Sequence, residues 1–347
     1  MKALVYRGPG ILKLEERPDP VVIQPTDAVV RLTTISICGT DLHILKGDVP
    51  SISSGRILGH EGVGIVEAVG PEVHDFRPGD RVLISLTTSC GRCSYCRKGM
   101  PSHCRSGGWI LGNSIDGTQA EFVRIPFADN GLHHLVPEID DEAAVLLSCN
   151  FPTSLECGTM AASVNPGDRV AIVGAGPVGL AALITCRLYS PSEVIMVDLN
   201  GHRLQTALTL GATHVVNATG PAAVEAVLAL TRGEGVDAAI EAVGLPESFE
   251  LCQLILAPGG RLANVGVHGK PVSLHLESLW SANLTFTTRL VDASTTARLL
   301  RMVRSGQIHP GLLITHRFAF GDILGAYDTF ANATREKAGK MVVRVSE

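Results

Sequence analysis

The 347-residue sequence has no run of basic residues, and its formal charge at pH 7 is −5. A protein that binds a polyanion concentrates positive charge on one face, so we expect no nucleic-acid partner. The first ten residues contain Gly-Pro-Gly where a secretory signal would carry an apolar run. We therefore expect a cytoplasmic protein.

Long apolar runs are also missing. The longest uncharged stretch, Val170 to Cys186, is interrupted by three glycines and a proline. Lipid would require an unbroken helix, so the stretch predicts a buried strand, a turn and a helix, and no membrane partner. The composition is 45% hydrophobic and 18% charged, which is ordinary for a globular chain long enough for two domains.

Nine cysteines in a chain without a secretory signal favour reduced thiols, acting as metal ligands or core residues, over disulfides. Four of them form C-x2-C-x2-C-x7-C, a spacing that gathers four thiolates around a structural zinc ion; they are Cys90, Cys93, Cys96 and Cys104. A ferredoxin-type cluster would need the spacing x2, x2, x3 followed by proline, which is absent here.

The element pattern changes near the middle of the chain. Up to about residue 150, short β-rich runs such as Ala28 to Thr33 predict a barrel-like all-β domain. From Asp168, strands alternate with helices, which predicts an α/β domain with a parallel sheet and helices on both faces. The predicted strands cover 169–173, 193–197, 214–216, 236–240 and 261–265, and the run 339–345 predicts a final strand. We divide the chain into a first domain over 1–150 with a zinc lobe near 88–106, a nucleotide domain over 151–290, and a segment over 291–347 that ends the second domain and returns to the first.

A glycine-rich turn between an apolar strand and a helix predicts a dinucleotide site. The turn carries Gly174, Gly176, Pro177 and Gly179 in the pattern GxGxxG. Asp198 follows about 20 residues later, at the end of the next strand, where a carboxylate binds ribose hydroxyls and repels a 2′-phosphate, so NAD is favoured over NADP. The alternative for Asp198 is a helix N-cap. Arg203 either stacks beside the adenine or faces solvent.

Three scattered residues, Cys38, His60 and Cys149, are each individually more typical of a core than of a metal site. However, Gly-His-Glu at 59–61, followed by Gly64, Gly70 and Val73, resembles the signature of the zinc-dependent medium-chain dehydrogenases. The four-cysteine lobe and the turn GAGPVG follow at that family's distances, and the resemblance covers the whole chain. It implies a GroES-like catalytic domain joined to a Rossmann domain.

The resemblance also assigns residues to a catalytic metal site. It implies that Cys38, His60 and Cys149 hold a second zinc ion, giving two per chain, with Glu61 as an outer or exchanging ligand. Asp41 would orient His60 from outside the ligand shell. Cys149, where polyol-type relatives carry a carboxylate, resembles the cysteine-type alcohol dehydrogenases.

A proton path is implied by the same resemblance. Thr40 would bond the substrate oxygen and His43 would receive the proton through the cofactor ribose. The alternatives are a capping or turn hydroxyl for Thr40 and a surface imidazole for His43. Gly39 departs from relatives that carry arginine or histidine there to meet the cofactor pyrophosphate, and Lys340 is a candidate to supply that charge.

Further positions match family residues that line the two ligand sites. Those beside the nicotinamide are Thr153, Val178, Val265 and Val267. Those lining the substrate pocket are Leu86, Thr87, Trp109, Ile110 and Leu290. Such a pocket suits medium or cyclic alcohols better than polyols. The alternative for Trp109 is packing against the zinc lobe.

The resemblance implies reversible hydride transfer between a primary or secondary alcohol and NAD. A threonine or polyol dehydrogenase is the first alternative, because the run Ile37 to Ile44 resembles those enzymes as well, although Cys149 argues against the polyol branch. The second is a non-catalytic NAD-binding sensor. We expect a homotetramer, since bacterial relatives usually are, and Asn283 to Arg289 has the character of an edge strand that pairs across a two-fold axis.

Overall fold

The computed structural model describes residues 1–346, and these form two compact units. Unit 1 comprises Met1–Pro152 together with the segment from Val291 onward, and unit 2 is Thr153–Leu290. The whole segment after residue 290 therefore lies in unit 1. The sequence predicted that part of this segment completes the nucleotide domain. That prediction needs correction, because a helix and strands of the segment pack into the core of unit 1.

The first part of the chain, up to residue 153, is rich in short strands. Its strands are β1 (Lys2–Gly8), β2 (Ile11–Glu16), β3 (Ala28–Ser36), β4 (Gly62–Val69), β5 (Arg81–Ile84), β6 (Phe122–Ile125) and β7 (Leu132–His134). Its helices are α1 (Gly39–Lys46), α2 (Ser94–Arg97), α3 (Ala128–Gly131), α4 (Asp141–Val145) and α5 (Asn150–Thr153), with a 3-10 turn at Pro101–His103.

Unit 2 alternates strands and helices after a π-helical segment, Ser154–Met160. Its strands are β8 (Arg169–Val173), β9 (Glu193–Val197), β10 (His214–Val216), β11 (Val236–Glu241), β12 (Leu256–Asn264) and β13 (Thr285–Thr288). Its helices are α6 (Pro177–Arg187), α7 (Gly201–Thr209), α8 (Gly220–Leu230), α9 (Pro246–Leu254) and α10 (Leu276–Leu279).

The chain then returns to unit 1 with two helices and two strands. They are α11 (Thr296–Arg304), β14 (Ile314–Ala319), α12 (Ile323–Ala331) and β15 (Lys340–Arg344), with 3-10 turns at Pro310–Leu313 and Phe320–Asp322.

The large sheet of unit 1 has the order β14-β15-β3-β4-β5-β7, and β6 also pairs with β3. All of its pairs are antiparallel except β14 with β15. β3 is buried along most of its length because it has neighbours on both edges, and its side chains Leu32 and Ile35 enter the main core. Apolar side chains of α12 cover the same core.

The sheet of unit 2 is wholly parallel, with the order β10-β9-β8-β11-β12-β13. This is the 3-2-1-4-5-6 order of the Rossmann fold, and the order reverses direction between β8 and β11. The expected α/β class, a Rossmann sheet plus a GroES-like β-rich domain, is confirmed.

Two glycines explain how the chain turns from β8 into α6. Gly174 has φ of +104°, and a Cβ there would lie 2.7 Å from Val243 Cγ2. A Cβ on Gly179 would lie 1.7 Å from the carbonyl oxygen of Gly174. Only glycine permits this tight turn and the close packing of the first helical turn against it.

The apolar stretch 170–186 consists of β8 and α6, as its glycines indicated. Within residues 1–346, no helix has the length and apolar character needed to cross a bilayer.

Candidate active site and metal centres

Four potential metal ligands from three separate loops meet inside unit 1. Cys38 precedes α1 as its N-cap, His60 and Glu61 precede β4, and Cys149 precedes α5. All four are buried, and one ligand atom from each lies within 4.8 Å of the others. The ends of the paired strands β3 and β4, together with the segment between α4 and α5, therefore gather residues that are far apart in the sequence.

The electrostatics of this set suit a cation. The pKa of Cys38 lies well below its ordinary value, chiefly because the Cys149 thiol donates a hydrogen bond to it. Burial raises this pKa, whereas the imidazole of His60 lowers it further. The thiolate is the form of cysteine that binds metal. Two thiolates, an imidazole and a carboxylate form a donor set that fits zinc, since catalytic zinc sites use cysteine, histidine and carboxylate ligands.

Asp41 lies beside this set and is 1% exposed. Its Oδ2 accepts hydrogen bonds from the Cys38 backbone N–H, at 2.9 Å, and from Gln119 Nε2, at 3.2 Å. Its Oδ1 is buried and has no partner among the described residues. Burial raises the pKa of Asp41 to about 7, and the positive charge of His60 opposes that rise. A free carboxylate oxygen is the acceptor that a metal-bound imidazole needs, so this atom also fits the zinc assignment.

Glu61, the fourth member of this set, is bound by Lys340 and Ser36. Lys340 Nζ donates to Glu61 Oε2 at 2.6 Å and to the Ile37 carbonyl at 3.0 Å. Ser36 Oγ also donates to Glu61 Oε2. Burial lowers the pKa of Lys340, but the carboxylate of Glu61 and the thiolate of Cys38 together raise it above its ordinary value.

These contacts give Lys340 a partner that the sequence did not indicate, and its predicted role toward the cofactor pyrophosphate stays a prediction. The Lys340 side chain is 2% exposed, and its ammonium already has a buried carboxylate. An ammonium in this position compensates the charge of Glu61, because an unpaired buried carboxylate is costly.

Thr40 and His43 lie three residues apart on α1 and so share one helix face. Thr40 Oγ1 is 3.6 Å from Cys38 Sγ, which places the hydroxyl next to a proposed ligand. His43 Nδ1 contacts Asp48 Oδ2 at 2.8 Å, and its side chain is 25% exposed. The relay roles of both residues remain predictions; the geometry puts one at the metal site and the other toward solvent.

The residues expected to line the substrate pocket occupy different surroundings. Leu86 and Thr87 are both 3% exposed and follow β5. Trp109 is half-buried and meets His60 edge to face, with ring centroids 6.0 Å apart. It also packs on the small cluster around Tyr6. Its contacts with His60 and this cluster put Trp109 beside the catalytic ligand set.

Two further pocket positions have fewer defining contacts. Ile110 is half-buried directly after Trp109. Leu290 is the last residue of unit 2 and is 41% exposed.

The other four cysteines form a second ligand set. Cys90, Cys93, Cys96 and Cys104 bring their Sγ atoms within 4.8 Å of one another. Backbone N–H groups of Cys96 and Arg105 lower the pKa of Cys93 to about 6. Four thiols supplied by one loop and gathered within 4.8 Å fit a structural zinc ion with no open position.

This zinc lobe is anchored to the returning segment of unit 1. Ser102, between the third and fourth cysteines, donates its backbone N–H and its hydroxyl to Asp292 Oδ1, at 3.1 and 2.6 Å. Ser102 and Asp292 are 6% and 5% exposed. The anchor therefore fixes the lobe at a second point beyond its own cysteines.

In unit 2, α6 begins at the glycine-rich turn, with Gly176 as N-cap and Pro177 in the first helical turn. Asp198 Oδ2 accepts the N–H of Ala175 at 2.6 Å, and its Oδ1 accepts the N–H of Asn200 at 2.7 Å. The cap of the following helix, α7, is Asn200, whose side chain accepts from the N–H groups of His202 and Arg203.

The N-cap alternative for Asp198 is therefore wrong. The carboxylate instead joins the end of β9 to the glycine-rich turn, at the position where a ribose would approach. Arg203 lies near this turn, because a Cβ added at Gly176 would be 3.9 Å from its Nη1.

The residues expected beside the nicotinamide also belong to unit 2. Thr153 and Val178 are half-buried, and neighbouring Ser154 donates its hydroxyl to the Val178 carbonyl at 2.8 Å. Val265 is half-buried and Val267 is 43% exposed, on the loop after β12. Their contact with a cofactor remains a prediction.

Three polar residues of the catalytic region were missed from the sequence. They are Ser36, Gln119 and Tyr327, which bind Glu61 or Asp41 directly or through one another. Tyr327 had a recognisable signal, because it is the one polar member of the buried stripe of α12. Ser36 and Gln119 lie among strand and loop residues with no distinguishing spacing.

The chain is similar to known dehydrogenases in both of its units. The model of the alcohol dehydrogenase GroES-like domain matches residues 24–137, and that of the zinc-binding dehydrogenases matches residues 177–305. A solved apo structure of zinc-dependent alcohol dehydrogenase 2 from Streptococcus pneumonia is 50% identical, with a TM-score of 0.96. That match covers 100% of this chain and 99% of the other.

Two curated relatives extend this similarity. An alcohol dehydrogenase from Cupriavidus necator is 37% identical over 96% of this chain and 95% of its own length. An NADP-dependent isopropanol dehydrogenase from Thermoanaerobacter brockii is 34% identical over 88% of both chains. With the two ligand sets and the Rossmann turn in place, these matches establish that the chain belongs to the zinc-dependent medium-chain alcohol dehydrogenases, which are NAD(P)-dependent oxidoreductases.

Proposed function

We propose that this protein catalyses the reversible oxidation of primary or secondary alcohols, of medium length or with a ring, to aldehydes or ketones with NAD as the hydride acceptor. The observation that carries the proposal is the convergence of Cys38, His60, Glu61 and Cys149 within 4.8 Å. A zinc ion held there supplies a Lewis acid that lowers the pKa of a substrate hydroxyl.

The side chains around this set provide the remaining chemistry in the proposal. Cys38, His60 and Cys149 hold the metal, while Lys340 holds Glu61 in place outside the three ligands. Thr40, next to Cys38, accepts the hydroxyl proton of the alcohol as its own proton moves outward toward His43. Deep burial of the ligands keeps water from competing for the metal.

The preference for NAD is supported by Asp198. Its carboxylate is fixed by two backbone N–H donors, so it cannot turn away from a 2′-phosphate without breaking both bonds. One relative in the family is named for NADP, which makes the cofactor a property to measure in this chain.

Apolar and aromatic side chains support the substrate class. Leu86, Trp109 and Ile110 offer little hydrogen bonding to a polyol, whereas they suit an alkyl chain or a ring. Cys149, in the place where a polyol-type site would carry a carboxylate, disfavours the threonine and polyol alternative.

We also propose a cytoplasmic homotetramer. β13 is the edge strand of the six-stranded sheet of unit 2, and Trp280, shortly before it, is 79% exposed. A free strand edge beside an exposed tryptophan suits pairing with a second copy of the chain. Light scattering at several concentrations gives the mass, and a monomer at every concentration would refute this assembly.

The experiment that tests the function is a steady-state assay over linear, branched, cyclic and polyhydric alcohols, with NAD and NADP in parallel and with the metal content measured. We expect about two zinc ions per chain, highest kcat/KM with medium or cyclic alcohols, and a clear advantage for NAD. Highest activity with threonine or a polyol would favour the alternative enzyme. Absence of turnover in a protein with two zinc ions would favour a non-catalytic NAD-binding role.

A further inference from the structure

Helix α12 has a tyrosine, Tyr327, on its buried face, where the helical periodicity predicts an apolar side chain. The buried residues of the helix are Ile323, Ala326, Tyr327 and Phe330, a single stripe facing the core of unit 1. Tyr327 is 4% exposed, and its hydroxyl donates a hydrogen bond of 2.8 Å to Gln119 Oε1. A buried tyrosine hydroxyl needs such a partner, and this one leads toward the metal site.

Gln119 is 0% exposed and is fixed by its own backbone. Its N–H donates to the Leu58 carbonyl at 2.9 Å, and its carbonyl accepts the N–H of Leu4 at 2.8 Å. The side chain packs against the residue before His60, since a Cβ on Gly59 would lie 2.6 Å from Gln119 Cγ. With backbone and Cγ both held, the main freedom left to the side chain is rotation of its terminal amide.

The tyrosine hydroxyl determines that rotation. Because Tyr327 donates to Oε1, the amide nitrogen of Gln119 faces Asp41 Oδ2, as a carboxylate acceptor requires. Burial and the negative charge of Asp41 raise the pKa of Tyr327 well above its ordinary value, so the hydroxyl keeps its proton. Without that donor, Gln119 Oε1 would lose this buried partner, and only the hydrogen bond to Asp41 Oδ2 would orient the terminal amide.

We propose that Tyr327 is a positioning residue for the catalytic metal site, acting through Gln119 on Asp41. The hydroxyl fixes the amide, the amide and the Cys38 N–H hold Asp41 Oδ2, and Oδ1 is left as the acceptor for the ring N–H of His60. The returning segment of the chain thereby sets the orientation of a ligand near the N-terminal end. This inference rests on the proposed zinc site.

The test compares Tyr327→Phe with the parent, both loaded with Co²⁺ in place of zinc. We expect metal to leave the catalytic set about 10-fold faster into a chelator, the usual scale for loss of a group that orients a ligand. The visible absorption of the bound cobalt should also shift, since the imidazole changes orientation. Cys149→Ala, which lacks one donor of this set, identifies the absorption bands and the release phase that belong to it.

Two controls separate this role from general packing. Tyr189→Phe removes a hydroxyl from a half-buried tyrosine of unit 2 that belongs to neither ligand set, and it should leave release rate and spectrum unchanged. In a Gln119→Leu background, Tyr327→Phe should add no further effect on release, because the hydroxyl acts only through the amide.

The outcomes distinguish the inference from the function on which it rests. A parent protein without a cobalt signal dependent on Cys149 would overturn the proposed catalytic site and the inference with it. A normal parent signal with unchanged release and spectrum in Tyr327→Phe would overturn the inference alone. An additional effect of Tyr327→Phe in the Gln119→Leu background would also overturn it.

Discussion

At the scale of single residues, burying two carboxylates is the main free-energy cost of forming the catalytic site. Glu61 and Asp41 are 0% and 1% exposed, so each carboxylate needs donors within the protein. Glu61 receives an ammonium and a hydroxyl, while Asp41 receives a backbone N–H and an amide. The motif around His60 predicted the ligands, but it could not predict Lys340 as a partner, because 279 residues separate the two members of that pair.

Replacement of Lys340 by methionine should therefore be strongly destabilising. The change keeps the aliphatic stem but leaves Glu61 as an uncompensated buried charge, at a cost of about 3–5 kcal/mol. Urea unfolding followed by fluorescence measures the loss. The double variant Lys340→Met with Glu61→Gln should recover most of it, whereas Arg335→Met, which breaks a pair at an exposed arginine, should leave the midpoint unchanged. Equal midpoints for Lys340→Met and the parent would mean that the pair contributes nothing.

Replacing Thr40 distinguishes a role in holding the metal from a role in proton transfer. Its hydroxyl lies 3.6 Å from Cys38 Sγ but belongs to neither ligand set, so Thr40→Ala should retain two zinc ions. Turnover should fall about 100-fold, the usual contribution of a positioned proton path, and alkaline pH should restore part of it. Thr40→Ser should keep most of the activity. Parental turnover in the alanine variant, with zinc content verified, would mean that the proton leaves by another route.

At the scale of elements, sequence patterns located most of unit 2. The strands β8, β9 and β10 have the predicted bounds, because continuous apolar runs between turn residues describe buried parallel strands well. The start of β12 was missed by five residues, since Ala-Pro-Gly-Gly at 257–260 reads as a turn and the strand pairs there through a register shift. The π-helical segment Ser154–Met160 has no spacing that would reveal it.

The zinc lobe is the element whose structure depends most on its metal. It contains only the four-residue α2 and one 3-10 turn, so a zinc ion supplies much of its folding energy. Cys93→Ser should lose about one zinc equivalent of two and lower the melting temperature by several degrees. Cys252→Ala, which removes a buried cysteine outside both ligand sets, should keep both equivalents. A Cys93→Ser protein that kept its melting temperature but lost turnover would show that the lobe is catalytic rather than structural.

At the scale of the molecule, unit 1 is assembled from both ends of the chain. β15 was predicted as a final strand, and its pairing with β14 on one side and β3 on the other makes the returning segment one edge of the large sheet. Periodicity identifies strands without giving their neighbours, so the sequence did not show that everything after residue 290 joins unit 1. The contact of Tyr327 with Gln119, 208 residues away in the sequence, depends on the same return of the chain to unit 1.

Acid stability is a property of the whole folded state, and His133 should contribute to it. This residue lies on β7, where burial lowers its pKa from 6.5 to about 4. The folded protein therefore binds this proton less readily than the unfolded chain does. The resulting stability is fully present above pH 6.5 and is lost as the pH falls through about 4, a change of up to roughly 3 kcal/mol.

His133 lines a cleft of about 470 Å³, and the charged groups that also line it are Asp75, Asp129, Arg301 and Arg304. Because carboxylates also titrate near pH 4, the test is a comparison of variants: His133→Gln should lose less unfolding free energy than the parent between pH 7 and 4.5, while the exposed His74→Gln should follow the parent. Parallel pH curves for His133→Gln and the parent would show that burial of this imidazole does not govern acid sensitivity.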